Sequence, residues 1–108
     1  MNFDKLLPQI LDLAEVEKSA LDGTALATAK LSFYDWLVVS CAGSTEPLAH
    51  ILRDFIASEG GAAVATVTGA AKKYPPRAAA LANGAISHAL DYDDTHFAYV
   101  GHPSVAIF

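Results

Sequence analysis

Residues 24 to 42 place the strongest constraint on what this chain can fold into. Leu26, Ala29, Phe33, Leu37 and Cys41 advance through nearly every face of a helix there, and Lys30 and Asp35 are the only charged side chains in the run. Thr24 is placed to cap its start, and Gly43 supplies the stop. A helix that is apolar on most sides belongs at the centre of a packed structure. The chain is therefore read as mainly α.

Other segments extend that reading. Leu6, Leu7, Ile10, Leu11 and Ala14 recur at helical spacing, which predicts a short amphipathic helix over residues 3 to 14. Pro8 falls inside it, so that helix either starts near Pro8 or kinks there. Pro47 opens a third helix, capped by Ser44 or Thr45, that runs to about Ser58 and closes at Gly60-Gly61. Residues 63 to 68 alternate small and β-branched side chains and read as a short strand. Gly69 to Lys73 is a turn, and Tyr74 begins a partner strand, giving one small β-hairpin. After Pro75-Pro76 a fourth helix is predicted over residues 77 to 91. Ala78, Ala82, Ala85 and Ala89 share a face on it, where a second helix can approach closely. Gly84, mid-helix, costs about 1 kcal/mol relative to alanine, a cost explained by the close approach of a second helix or a ligand, with the helix favoured.

Composition excludes several classes of function. The net charge is −5, and Lys72, Lys73 and Arg77 form the only basic cluster, so a nucleic-acid partner is not expected. The apolar run from Trp36 to Ala42 is far shorter than the ~20 residues a membrane span requires. Asp4 and Lys5 precede a short, interrupted apolar stretch, which is not a signal-peptide pattern. Cys41 is the sole cysteine, so no internal disulfide forms; that suits a reducing, cytoplasmic setting, with Cys41 as small core filler. At 53% hydrophobic in 108 residues, the chain should either pack against more protein or expose an apolar face.

The chemistry-bearing groups concentrate between residues 83 and 104. Asn83, Ser87, His88, Asp91, Asp93, Asp94, Thr95, His96, His102 and Ser104 fall where a helix hands over to a loop. His88 and Asp91 are three apart and should project to one side of the helix. A histidine such as His88 is often held by a neighbouring carbonyl, and its pocket role is the weaker reading. Three carboxylates this close cannot all face a polyanion. Asp93 and Asp94 are assigned to turns and caps, leaving Asp91 and Thr95 as pocket candidates. His102 is restrained by Pro103, and an imidazole is the default acid or base near neutral pH. Ser104 reads as a helix N-cap rather than a nucleophile. Asp35 reads as a rim or buried hydrogen-bonding residue. His88, Asp91, Asp93, Asp94, His96 and His102 match zinc or iron by ligand type, yet they show no established metal spacing.

The order of Asp35, Ala42-Gly43-Ser44, Gly60-Gly61, Ala65-Thr66-Val67-Thr68-Gly69, Ala80-Leu81-Ala82-Asn83-Gly84-Ala85, His88-Ala89-Leu90-Asp91-Tyr92-Asp93-Asp94-Thr95-His96 and His102-Pro103-Ser104 resembles the N-terminal signature of the MmgE/PrpD family. That family includes 2-methylcitrate dehydratase, cis-aconitate decarboxylase and an iminodisuccinate epimerase, built from a helical domain and a smaller α/β domain. The resemblance implies that residues 1 to 108 are the N-terminal portion of the helical domain, without the second domain and inactive in isolation. It further implies a homodimeric lyase acting on a small di- or tricarboxylate without metal or cofactor, dehydration leading and decarboxylation or epimerisation alternative. Positions matching Asp91, Thr95 and His102 are associated with the family's active site. By that reading His102 moves the proton, Asp91 orients it or shares the acid–base work, and Thr95, with His88 more weakly, contacts substrate. His96 has no assigned role. A rival of another class is a non-catalytic helical interaction module, which has no need for an acid, a hydroxyl and an imidazole at those positions.

Overall fold

The computed structural model describes residues 3–98 and 100–108, as two units, Met1–Lys30 and Leu31–Phe108. The architecture is mainly α with one small antiparallel hairpin. Among the described residues, no helix is long and apolar enough to cross a membrane.

The first unit holds α1 (Phe3–Ala14), a 3-10 turn at Lys18–Ala20 and the start of α2 (Gly23–Gly43). Helix α1 begins before Pro8 and runs through it. The cap of α2 is Asp22, not Thr24: the Ala25 N–H donates to Asp22 Oδ1 at 2.8 Å. An aspartate immediately before the helix reaches its first free amides, whereas a hydroxyl at Thr24 already lies inside the helix.

The second unit contains the rest of α2, then α3 (Pro47–Ser58), β1 (Ala65–Thr66), β2 (Lys73–Tyr74), α4 (Pro76–Ser87) and α5 (Pro103–Ile107). Its core joins Ala49 and Ile56 of α3, Val67 and Tyr74 of the hairpin, and Ala78, Ala79, Ala82 and Ile86 of α4. Small side chains at Ala49 and Ala82, both fully buried, let α3 and α4 pack closely. The strand is shorter than its alternation suggests, with Ala65 opposite Tyr74 and Thr66 opposite Lys73. Two long side chains replace the missing ladder. Asn83 accepts from the Thr68 N–H at 2.9 Å and donates to the Thr66 carbonyl at 3.0 Å. Arg53 donates to the Thr68 carbonyl at 3.4 Å and to the Ser44 carbonyl at 3.0 Å, tying α3 to the hairpin and to the end of α2.

Several local expectations are corrected. Ser44 and Thr45 do not cap α3; their hydroxyls turn back to the carbonyls of Cys41 and Ala42 and close α2 instead. Glu46 precedes α3 without a side-chain cap, and Pro47 needs none because it lacks an N–H. Helix α4 ends at Ser87 rather than Asp91: the backbone leaves the helical region at His88, with φ −105° and ψ 1°, and Asp91 then turns left-handed at φ 52°. Cys41 is exposed rather than core filler. Helix α2 is not covered on all sides: Trp36, Val39, Ser40 and Gly43 are buried, while Leu31, Tyr34 and Val38 are exposed, as is Asp35.

The close approach expected at Gly84 occurs at Gly43. A Cβ at Gly84 would meet nothing, whereas one at Gly43 would overlap the Ile86 carbonyl oxygen and touch Ala89. Gly43→Ala is therefore expected to destabilise the protein by about 1–3 kcal/mol, the usual range for forced overpacking. Gly84→Ala should be neutral or slightly stabilising. Chemical denaturation of the two variants checks this, and equal midpoints would show that α2 and α4 do not meet at Gly43.

Candidate functional site

The site is assembled by the turn that follows α4. His88 is the first residue past the helix, and its backbone carbonyl accepts from the Asp91 N–H at 3.1 Å. The left-handed backbone of Asp91 then reverses the chain. Aspartate tolerates that conformation better than most residues, and such backbone outliers gather at functional sites. The reversal returns Asp93 beneath His88 and leads on to His102, immediately before Pro103 and α5.

Asp94 locks this return. Its Oδ1 accepts the Ser104 N–H at 3.1 Å and its Oδ2 accepts the Ser104 hydroxyl at 2.7 Å. Ser104 is therefore not the N-cap expected of it. It lies inside the first turn of α5, and Asp94 does the capping from across the loop. That link places His102 against the 88–94 turn, with the His88 and His102 ring centroids 4.6 Å apart.

Two carboxylates flank the two imidazoles. The Asp93 side chain is fully buried, with Oδ1 2.9 Å from His88 Nδ1 and 3.3 Å from His102 Nδ1. The Asp93 carbonyl oxygen lies 3.1 Å from the same His102 nitrogen. Carboxylate and carbonyl oxygens can only accept, so both Nδ1 atoms are assigned as donors, which in the neutral rings leaves the lone pair on each Nε2. On that opposite side stands Asp91, its side chain 80% exposed, with Oδ1 3.2 Å from His102 Nε2 and 3.9 Å from His88 Nε2.

Thr95 stands apart from these four. It lines a cavity of about 380 Å³ with His96, Phe97, Val100, Gly101 and His102. The cavity wall is a short loop closed by the His96 N–H donating to the Gly101 carbonyl at 3.0 Å. Thus His102 alone is shared between the carboxylate–imidazole cluster and the cavity holding Thr95. No lysine or arginine is among the residues lining this cavity; Lys72 lies over the Tyr74 ring and Arg77 lines a separate depression beside Glu59.

The sequence-derived candidates His88, Asp91 and His102 are thus brought together, with Thr95 a neighbour through the cavity. The sequence assigns Asp93 to a cap or turn, yet it lies beneath both imidazoles, whereas Asp94 does cap. An Asp-Asp pair in a turn does not reveal which member faces inward. The pair of histidines with a carboxylate between them is the only signal that could have pointed to Asp93. Although the sequence carries no metal spacing, one donor atom each from His88, Asp91, Asp93 and His102 lies within 4.8 Å of the others.

Set against known proteins, residues 13–108 match the family model described as the MmgE/PrpD N-terminal domain. No curated protein and no solved structure matches the chain.

Proposed function

We propose, because this chain belongs to the MmgE/PrpD family, that it carries the acid–base group of a lyase for small di- or tricarboxylates, with dehydration of a 2-methylcitrate-like hydroxy acid as the reaction. The observation that supports this best is His102. Its Nε2 lies 3.2 Å from the Asp91 carboxylate, its Nδ1 is held by Asp93, and its ring forms part of the cavity wall beside Thr95.

Each of these groups has a task in such a reaction. Removing a proton from a carbon next to a carboxylate needs a base whose lone pair is oriented before substrate arrives. Asp93 supplies that orientation from below by holding Nδ1–H. His102 Nε2 takes the proton, and Asp91 stabilises the imidazolium that forms. The leaving hydroxyl departs as water once protonated, and the imidazolium or a neighbouring acid can return the proton. Thr95 donates a hydrogen bond to the substrate. A polycarboxylate also needs cationic partners, and in this reading they come from outside the residues that line the cavity. Decarboxylation and epimerisation remain the alternatives, since both need the same oriented proton at the same kind of carbon. A homodimer is part of the proposal, because Leu31, Tyr34 and Val38 of α2 and Ile51 and Phe55 of α3 are left exposed.

The test is direct. The protein in its full natural length is incubated with 2-methylcitrate, cis-aconitate or iminodisuccinate, and products are followed by NMR. New alkene signals from 2-methylcitrate support dehydration. Turnover of only one of the others replaces it with the corresponding alternative, and no turnover of any of them would overturn the enzyme reading. In the same assay Asp91→Asn is expected to lower turnover by about tenfold or more with an unchanged melting temperature, because Asp91 is exposed and asparagine also tolerates the left-handed backbone.

A further inference from the structure

We propose that His88, His102 and Asp91 form a binding site for a divalent transition-metal ion of the zinc type, with Asp93 as the buried carboxylate that orients both imidazoles.

With both Nδ1–H groups turned to Asp93, the neutral rings present two bare Nε2 lone pairs. These face the Asp91 carboxylate, at 3.2 Å for His102 and 3.9 Å for His88. Lone pairs and a carboxylate this close repel unless a positive charge sits among them. A divalent cation held between them supplies that charge.

The dimensions agree with a cation. Ligand atoms about 2.0–2.1 Å from a tetrahedral zinc ion lie roughly 3.3 Å from one another. The His102–Asp91 separation already matches, and the His88–Asp91 separation, 3.9 Å, is the longer of the two, to a side chain that is 80% exposed. Two histidines and one carboxylate are a donor set that zinc, iron and related ions take. The buried carboxylate behind them has the place that outer carboxylates occupy around metal-bound histidines, where they set the tautomer and raise ligand basicity. Asp93 further has one oxygen, Oδ2, that is buried and without a hydrogen-bond partner among the described residues. Buried carboxylates are costly unless compensated, and a cation bound at the far nitrogen of each imidazole lowers that cost. Cys41 and His50 lie outside the set.

Metal at this position would occupy His102 Nε2 and block proton transfer there. The ion is thus an inhibitor that competes with the proton, a consequence that rests on the acid–base role proposed above. Binding itself does not.

The experiment titrates zinc chloride into EDTA-treated, full-length protein by calorimetry and repeats it with cobalt(II), whose visible absorption reports nitrogen and oxygen ligation. One equivalent per chain is expected. Asp91→Asn, which keeps the backbone conformation, should weaken zinc about tenfold or more, as should His88→Gln, whereas Cys41→Ser should leave the affinity unchanged. Asp93→Asn should weaken it by ~10–100-fold, the usual effect of losing an outer carboxylate. Absence of saturable zinc binding overturns the site, and so does stoichiometric binding that Asp91→Asn and His88→Gln leave unchanged. Zinc that binds at these residues without slowing turnover would leave the metal site standing and remove His102 from the proposed chemistry.

Discussion

His102→Gln is expected to lower turnover of the full-length protein by about 10²–10⁴-fold, the usual contribution of one positioned acid–base group. Glutamine keeps a polar side chain of similar reach, so the contact with the Asp93 carbonyl can persist while the ability to carry a proton is lost. The loss should therefore fall on kcat, with KM little changed. His102 is three-quarters buried against the turn, so circular dichroism and melting of the variant belong beside the kinetics. A correctly folded His102→Gln protein with near wild-type turnover would make the histidine structural and remove the central assignment. A rise in KM at constant kcat would place it in substrate binding instead.

The second large effect belongs to Asp93. Asp93→Asn preserves shape but replaces one acceptor oxygen by a donor amide. If the amide nitrogen takes the place of Oδ1, it forces the His88 ring to accept at Nδ1 and to carry the hydrogen on Nε2, and it sets a donor against the His102 Nδ1–H that the Asp93 carbonyl holds. If it takes the place of Oδ2, it leaves a buried donor in a position where no partner lies among the described residues. Either outcome is harmful. Turnover is expected to fall by about 10²-fold or more, as when the carboxylate behind a catalytic imidazole is lost. Stability should fall by about 1–3 kcal/mol, the cost of an unsatisfied buried polar group. Steady-state kinetics paired with denaturant titration separates the two effects. Turnover within a few-fold of wild type in a stably folded Asp93→Asn protein would end the tautomer argument. Asp91→Asn differs in that its exposed side chain can change activity with no loss of stability.

That contrast revises the division of labour drawn from sequence, in which Asp93 served stability and Asp91 served activity. Asp94 is the capping member of the pair, through Ser104. In the proposed mechanism Asp93 serves both ends, because a buried acceptor beside two imidazoles is at once a packing element and an orienting group. Neighbouring aspartates in a turn are indistinguishable by type and spacing. Only the direction of the backbone at each decides which one enters the interior.

By itself the sequence determined the helices and their punctuation wherever the cause was local. Pro47 and Ser58 bound α3 as proline and the following glycines predict, residues 24 to 42 form one long helix, and the hairpin falls before Pro75. The resemblance carried by residues 80 to 104 also led to the family. These are properties of nearest neighbours, of side-chain periodicity and of residues with restricted backbones. Tertiary structure decided the rest. Helix α4 stops at Ser87, and Asp91 turns left-handed within a loop that Asp94 and Ser104 close from ten residues apart. Gly43, not Gly84, meets a neighbouring helix because the path of α2 brings it onto the Ile86 carbonyl. His88 and His102 meet over Asp93 only after that loop has closed. Such convergence depends on distances across the chain, and no window along the sequence contains them.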